Sequence, residues 1–304
     1  MYKNTTEDIQ FTLTNNNMNI KKLTFTLILT STIVLSALAQ IKVPMGTKDE
    51  VNKFYNTTTY VVMKNEFMSE YNDKIKEAVE KHWKITPYKF VKASEFEKLR
   101  HDDDKSFLVV NIAYFDNNDT KFDFLILSLG GSKYKTVNDM PTLCAVPLCY
   151  YGDEDEENYT YKLGAMIKHC QTHVGICHEH PELKKETILD YYIKNPSNLE
   201  NKTLYLLKDE VSEDLRSSAA LKSAYQYNAE FATAEQIEEL INSNDDKALI
   251  ALIINPFEDS GLQYCFKTII DVKDGMIYYY DFQKVKKNTY GVITSDDLKK
   301  LSKK

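Results

Sequence analysis

Apolar and polar positions divide the chain into two stretches that repeat one another. Thr59-Tyr60-Val61-Val62-Met63-Lys64-Asn65-Glu66 parallels Thr203-Leu204-Tyr205-Leu206-Leu207-Lys208-Asp209-Glu210. Residues 90–99 parallel 231–240, and 103–116 parallel 245–258, so that Ile112 meets Ile254; further on, Phe124 meets Phe266. The offset stays near roughly 142 residues, and a shared order, spacing and apolar pattern at a fixed offset indicates a duplicated unit.

Each copy predicts the same elements. A short β-rich run (59–63; 204–207) precedes a helix (67–83; 213–225). In the first copy Tyr71, Ile75, Ala78, Val79 and His82 recur at helical spacing, and Pro87 follows where a helix stops. A second strand (88–91; 229–231) leads to Ser94 and Thr233, whose partners Glu97 and Gln236 stand three residues on, as a capped second helix requires. The nearly continuous apolar runs 107–114 and 249–254 predict strands buried on both faces. A polar turn and a returning antiparallel strand follow (121–129; 263–272), then a third strand (142–150; 276–285) and a last helix (159–174; 295–302). Within the final strand, Tyr279 should point away from Tyr278 and Tyr280.

The predicted fold is therefore α+β or α/β. It consists of two tandem βαβαβββα units, each a mixed sheet covered by helices. Residues 57–177 form the first unit and 202–304 the second. Residues 40–56 read as a linker, and 178–201 as a connector with a helix over 183–193. Upstream, Lys21 and Lys22 precede an apolar run over 23–38 that closes on Ala37-Leu38-Ala39. This is the layout of a signal peptide over 18–39, cleaved after Ala39, with residues 1–17 a non-native extension before a true start at Met18. The expected location is periplasmic or secreted, with no stable membrane span after cleavage.

Composition narrows the chemistry. Apolar residues make up 43% of the 304, enough for a real core. The net charge is −7; the first 39 residues contribute +1 (Lys3, Lys21 and Lys22 against Glu7 and Asp8), so the remainder stands at −8. Such a body repels nucleic-acid phosphates, and no nucleic-acid partner is expected. Only nine glycines occur, and no P-loop, dinucleotide fingerprint, G-x-S-x-G elbow or H-E-x-x-H zinc motif appears. No cofactor and no catalytic residue are assigned.

Two constellations remain. The stretch 168–180 holds four of the six histidines and two of the five cysteines. On a helix His169, Cys170, His173 and Cys177 fall on neighbouring faces, an arrangement that suits a transition metal. Cys170 and Cys177 are too far apart along a helix to form a disulfide. Both also continue the apolar stripe of Leu163, Met166, Ile167 and Val174, where they serve equally as small hydrophobes. The second constellation is the junction after each first strand: Lys64 and Glu66, then Lys208 and Glu210. Ligands gather at strand carboxyl ends in open α/β sheets; alternatively Asn65 and Asp209 cap the following helices.

Trp83-Lys84-Ile85-Thr86-Pro87-Tyr88 and Thr203-Leu204-Tyr205-Leu206-Leu207-Lys208 resemble a family of exported proteins of unknown function from Bacteroidota-type bacteria, over roughly residues 50–304. The βαβαββ order is also similar to the N-terminal domain of TolB. These resemblances imply an envelope or extracellular setting and carry over no site residues. The reading is an exported, non-enzymatic binding protein whose partner is an unidentified envelope or extracellular component. The alternatives are a hydrolase with a dispersed site and a metal-binding protein using the His/Cys helix.

Overall fold

A computed structural model describes residues 43–303, apart from residues 67, 115–120, 154, 195–197, 256–262 and 286–290. The extension 1–17, the signal segment 18–39 and its cleavage point lie outside the described residues. In chain order the elements are α1 (Lys48–Phe54), β1 (Thr58–Met63), α2 (Glu70–His82), β2 (Tyr88–Lys92), α3 (Ala93–Leu99), β3 (Lys105–Tyr114), β4 (Lys121–Leu129), β5 (Thr142–Tyr150) and α4 (Leu163–Glu179). Then come α5 (Ile188–Lys194), β6 (Thr203–Leu206), α6 (Ser218–Ala224), β7 (Asn228–Phe231), α7 (Ala234–Ser243), β8 (Ala248–Ile254), β9 (Gln263–Asp271), β10 (Ile277–Val285) and α8 (Ser295–Ser302).

The two sheets have one topology. Sheet order is β2-β1-β3-β4-β5 in the first and β7-β6-β8-β9-β10 in the second. The first strand of each copy pairs in parallel with its second and third strands, and the later pairs are antiparallel. The fold is thus two similar mixed sheets covered by helices, as the duplicated pattern implies. Sequence alternation explains the layers: along β3, Phe107 and Val109 enter one cluster and Leu108 the other. Along β8, Leu249 and Ala251 separate from Ile250 and Leu252 in the same way. The third strand is therefore buried on both faces over residues 106–109 of β3 and along nearly all of β8.

The copies meet through different faces. In the first, α2 and α4 cover the inner face and α3 the outer one. In the second, α7 (the counterpart of α3) is inner through Ile237 and Ile241, while α6 and α8 are outer through Leu221, Leu298 and Leu301. One continuous core therefore contains residues of both copies, among them Leu127, Met166, Ile241 and Leu252.

Local chemistry corrects several expectations. The assigned linker 40–56 contains α1, started by a Thr47–Glu50 capping box and anchored by buried Val51 and Phe54. The connector helix begins at Ile188. Ser69, not Asn65, caps α2, and Ser217, not Asp209, caps α6; the predicted helix 213–225 is broken into a 3-10 turn and a short α6. The α3 helix starts before Ser94, where the Glu95 carboxylate accepts the Lys92 N–H at 3.0 Å. Thr233 and Gln236 form the expected capping box. A β-bulge between Ile277 and Tyr279 breaks the alternation, so Tyr278 and Tyr279 enter the same cluster. The motif around Trp83 has a structural use: Trp83 Nε1 donates to Thr86 Oγ1 at 3.0 Å, which continues into a buried hydroxyl chain through Thr59 and Ser106 to Thr57.

Candidate functional site

The seam between the copies concentrates the unusual chemistry, and α4 is its centre. Twelve of the 17 residues of α4 are buried, including Lys168, His169 and His173. This corrects the single-stripe picture, because both copies pack on this helix. Lys168 Nζ donates to the carbonyls of Ile241 at 2.8 Å and Val272 at 2.7 Å, closing the ends of α7 and β9 onto α4. Burial holds its ammonium down to about 8.

The hairpin turn between β9 and β10 sits directly on α4. Gly275 has φ +74°, and a Cβ there would lie 2.2 Å from the His169 backbone nitrogen, so only glycine fits. Its carbonyl lies 2.8 Å from His169 Nδ1. A carbonyl can only accept, so Nδ1 carries the proton and Nε2 is left as the acceptor. One turn on, His173 Nδ1 lies 2.6 Å from the Tyr192 hydroxyl, and its Nε2 lies 3.7 Å from Cys177 Sγ. Burial pushes His173 down to about 3, with His169 adding to the effect, and pulls His169 down as well, so both rings are neutral. From the sheet, β5 brings Cys144 to this group. One ligand atom from each of Cys144, His169 and His173 falls within 4.8 Å of the others, and all three residues are buried. Cys170 stands apart from that triad but neighbours Cys144; its thiol and burial raise the Cys144 thiol well above its usual range. All five cysteines are free thiols.

Beside this group lies an apolar cavity of about 300 Å³ between the sheets. Phe124, Ile126 and Val146 line it from the first copy, and Leu252, Phe266 and Ile277 from the second, while Thr142, Thr268, His169 and Tyr280 supply its polar atoms. The equivalent residues Phe124 and Phe266 touch at its rim, 5.9 Å between ring centres. The Tyr150 hydroxyl donates to the Tyr264 carbonyl and accepts the Tyr264 N–H, tying β5 to β9.

A second, larger cleft of about 650 Å³ opens at the carboxyl ends of β6 and β8 and the N-termini of α2 and α7. Seven carboxylates line it against two lysines. Both lysines are already matched, Lys74 with Glu238 and Lys162 with Glu210, each at 2.5 Å. Glu70, Asp153, Glu157, Asp209 and Glu235 have no ion pair among the described residues, although Glu70 accepts Thr160 Oγ1 at 2.6 Å. Burial raises Asp153 and pushes the Cys149 thiol up to about 12, so that thiol stays protonated and is no activated nucleophile.

The predicted junction residues separate. Glu210 lines the cleft but is held by Lys162 rather than by Lys208, which is exposed outside it. Lys64 is 2.6 Å from Glu156, whose carboxylate also accepts the Tyr71 N–H and the Ser69 hydroxyl at the start of α2, so this pair is structural. Glu66 is exposed. Of the predicted metal residues, His169 and His173 converge, Cys177 lies next to His173, and Cys170 turns toward Cys144. The sequence reading missed Cys144, Lys168 and Tyr192; only their residue types could have flagged them, since each reaches the site through tertiary contacts. Among the described residues no helix is long and apolar enough to cross a membrane. Comparison with protein-family models, curated proteins and solved structures returns no match for this chain.

Proposed function

We propose that the chain is an exported binding protein that takes up a small apolar ligand between its two sheets. One observation carries this reading: the two sheets flank a partly open cavity of about 300 Å³ walled mainly by apolar side chains of both copies. Protein interiors are packed as densely as organic crystals and contain few voids larger than water. A space of this size, lined almost wholly by apolar side chains, falls at the lower end of the range for ligand pockets. Its polar atoms, the His169 ring and the hydroxyls of Thr142, Thr268 and Tyr280, can orient a ligand bearing one polar group. The signal-like N-terminus supports export, which places such a ligand outside the cytoplasm.

The test is titration with an environment-sensitive apolar fluorophore, followed by its displacement with alcohols and fatty acids of increasing length. Saturable enhancement at one site is expected, and Ala145→Phe, which fills the cavity, should remove it. Unchanged binding in that variant would sink the proposal.

The charge of the larger cleft favours a second reading, contact with a basic segment of an envelope or extracellular partner. Five carboxylates with no ion pair among the described residues face one opening there, and opposite charge steers association. Binding of a Lys/Arg-rich peptide should weaken steeply with salt and fall further in Asp209→Asn/Glu235→Gln.

A further inference from the structure

The geometry points to a buried transition-metal site formed by Cys144, His169 and His173, with Cys177 closing the coordination shell. It shares His169 with the wall of the ligand cavity but does not rest on that cavity being occupied. Three observations converge on it. First, strand β5 and helix α4 bring one thiol and two imidazoles together, one ligand atom from each lying within 4.8 Å of the others. A tetrahedral zinc ion, with Zn–S about 2.3 Å and Zn–N about 2.0–2.1 Å, spaces its ligand atoms by about 3.3–3.6 Å, so rotamer adjustments of about 1 Å complete the site.

Second, each imidazole is already held by an outer oxygen. The Gly275 carbonyl fixes His169 Nδ1, and the Tyr192 hydroxyl meets His173 Nδ1. Ligating histidines are oriented in this way, with one ring nitrogen anchored and the other directed at the ion. Third, Cys177 Sγ lies outside that group of three but stands 3.7 Å from His173 Nε2, so a rotation of its side chain brings it into the shell.

The donor set is borderline-soft, two thiolates and two neutral imidazoles, and suits zinc or copper(I) over magnesium or calcium. Every donor is buried, which describes a closed, structural site rather than one with an exchangeable position. An ion there would tie β5, α4 and, through Gly275, the second copy's hairpin into one body. Binding releases the two thiol protons to solvent as the sulfurs become thiolates. This set also revises the helix-only grouping: Cys144 replaces Cys170.

The experiment uses the full chain, purified in reductant without chelator. Elemental analysis should find close to one zinc or copper per chain. Refolding from chelator with cobalt(II) should produce a thiolate-to-cobalt charge-transfer band, and zinc should raise the thermal midpoint of the same preparation. Cys144→Ser should at least halve the band, and Tyr192→Phe should weaken zinc binding by about 10–100-fold. Cys149→Ser, on the same strand but outside the group, should retain the band. If a variant fails to fold, the wild-type titrations decide alone. A chain purified free of metal, in which neither zinc nor copper(I) shifts the midpoint and cobalt yields no thiolate band, overturns the proposal; so does a band unchanged in Cys144→Ser. The cluster would then be core packing.

Discussion

The last helices of the two copies, α4 and α8, occupy equivalent places in one topology and have diverged completely. The α8 helix buries one face, through Asp297, Leu298 and Leu301, and leaves Asp296, Lys299 and Lys300 of its exposed side in water. The α4 helix is wedged between the copies and buries a lysine, two histidines and two cysteines along with its apolar residues. The same backbone position therefore carries different chemistry because the copies meet face to back. A face covered twice excludes water, and any polar group there must find a protein partner. Lys168 finds two carbonyls, His169 a third, and His173 a phenol.

The largest effect should come from α8. Lys267 and Asp297 form a buried pair at 2.8 Å, and Tyr279 donates to the same carboxylate at 2.6 Å. The carboxylate also closes the α8 capping box with Thr294. Asp297→Ala strands Lys267 in the core and should cost about 3–5 kcal/mol in urea unfolding. A loss below about 1 kcal/mol would mean that α8 is held by its leucines alone.

A smaller effect should mark the wedge. A Cβ at Gly164 of α4 would lie 2.6 Å from Ile241 Cγ2 and 3.0 Å from the His82 ring. Gly164→Ala should therefore destabilise by about 1–3 kcal/mol through overpacking, despite the gain in helix propensity. Stabilisation instead would show that α4 is not tightly clamped between α2 and α7.

The smallest effect is on pH dependence. His82 packs against this contact, and burial holds its pKa down to about 4, against 6.5 in an open chain, with Lys168 contributing. Above pH 6.5 neither state binds the proton and His82 adds no slope. Below it the unfolded chain gains a proton that the folded chain refuses until about pH 4. Stability should thus fall by at most about 1.4 kcal/mol per pH unit across that window. The slope should be shallower in His82→Gln; equal slopes in both chains would show that His82 is exposed to protons in the folded state.

Much of this fold was legible in the chain, and much of the site was not. The duplication, the order of strands and helices and the two-sided burial of 107–109 followed from local periodicity. The Thr233–Gln236 cap followed from residue type at fixed spacing. The alternation at Tyr278–Tyr280 failed because one bulge residue shifts every later side chain to the other face. At the site, His169 and His173 were visible as an i, i+4 pair, but Cys144 lies on a strand and reaches them only through packing. The Lys64 and Lys208 junctions were equivalent in sequence and unequal in space, since Glu156 claims the first and Lys162 claims the acid beside the second.

By itself the sequence determined that one sheet-and-helix unit occurs twice, because strand and helix periods, caps and turns are set by neighbours a few residues away. Only the tertiary structure decided that the inner faces would differ, that a cavity would remain between them, and that a thiol from one element would meet imidazoles from another. Those outcomes depend on which apolar surfaces exclude water together, and residues far apart in the chain share that choice.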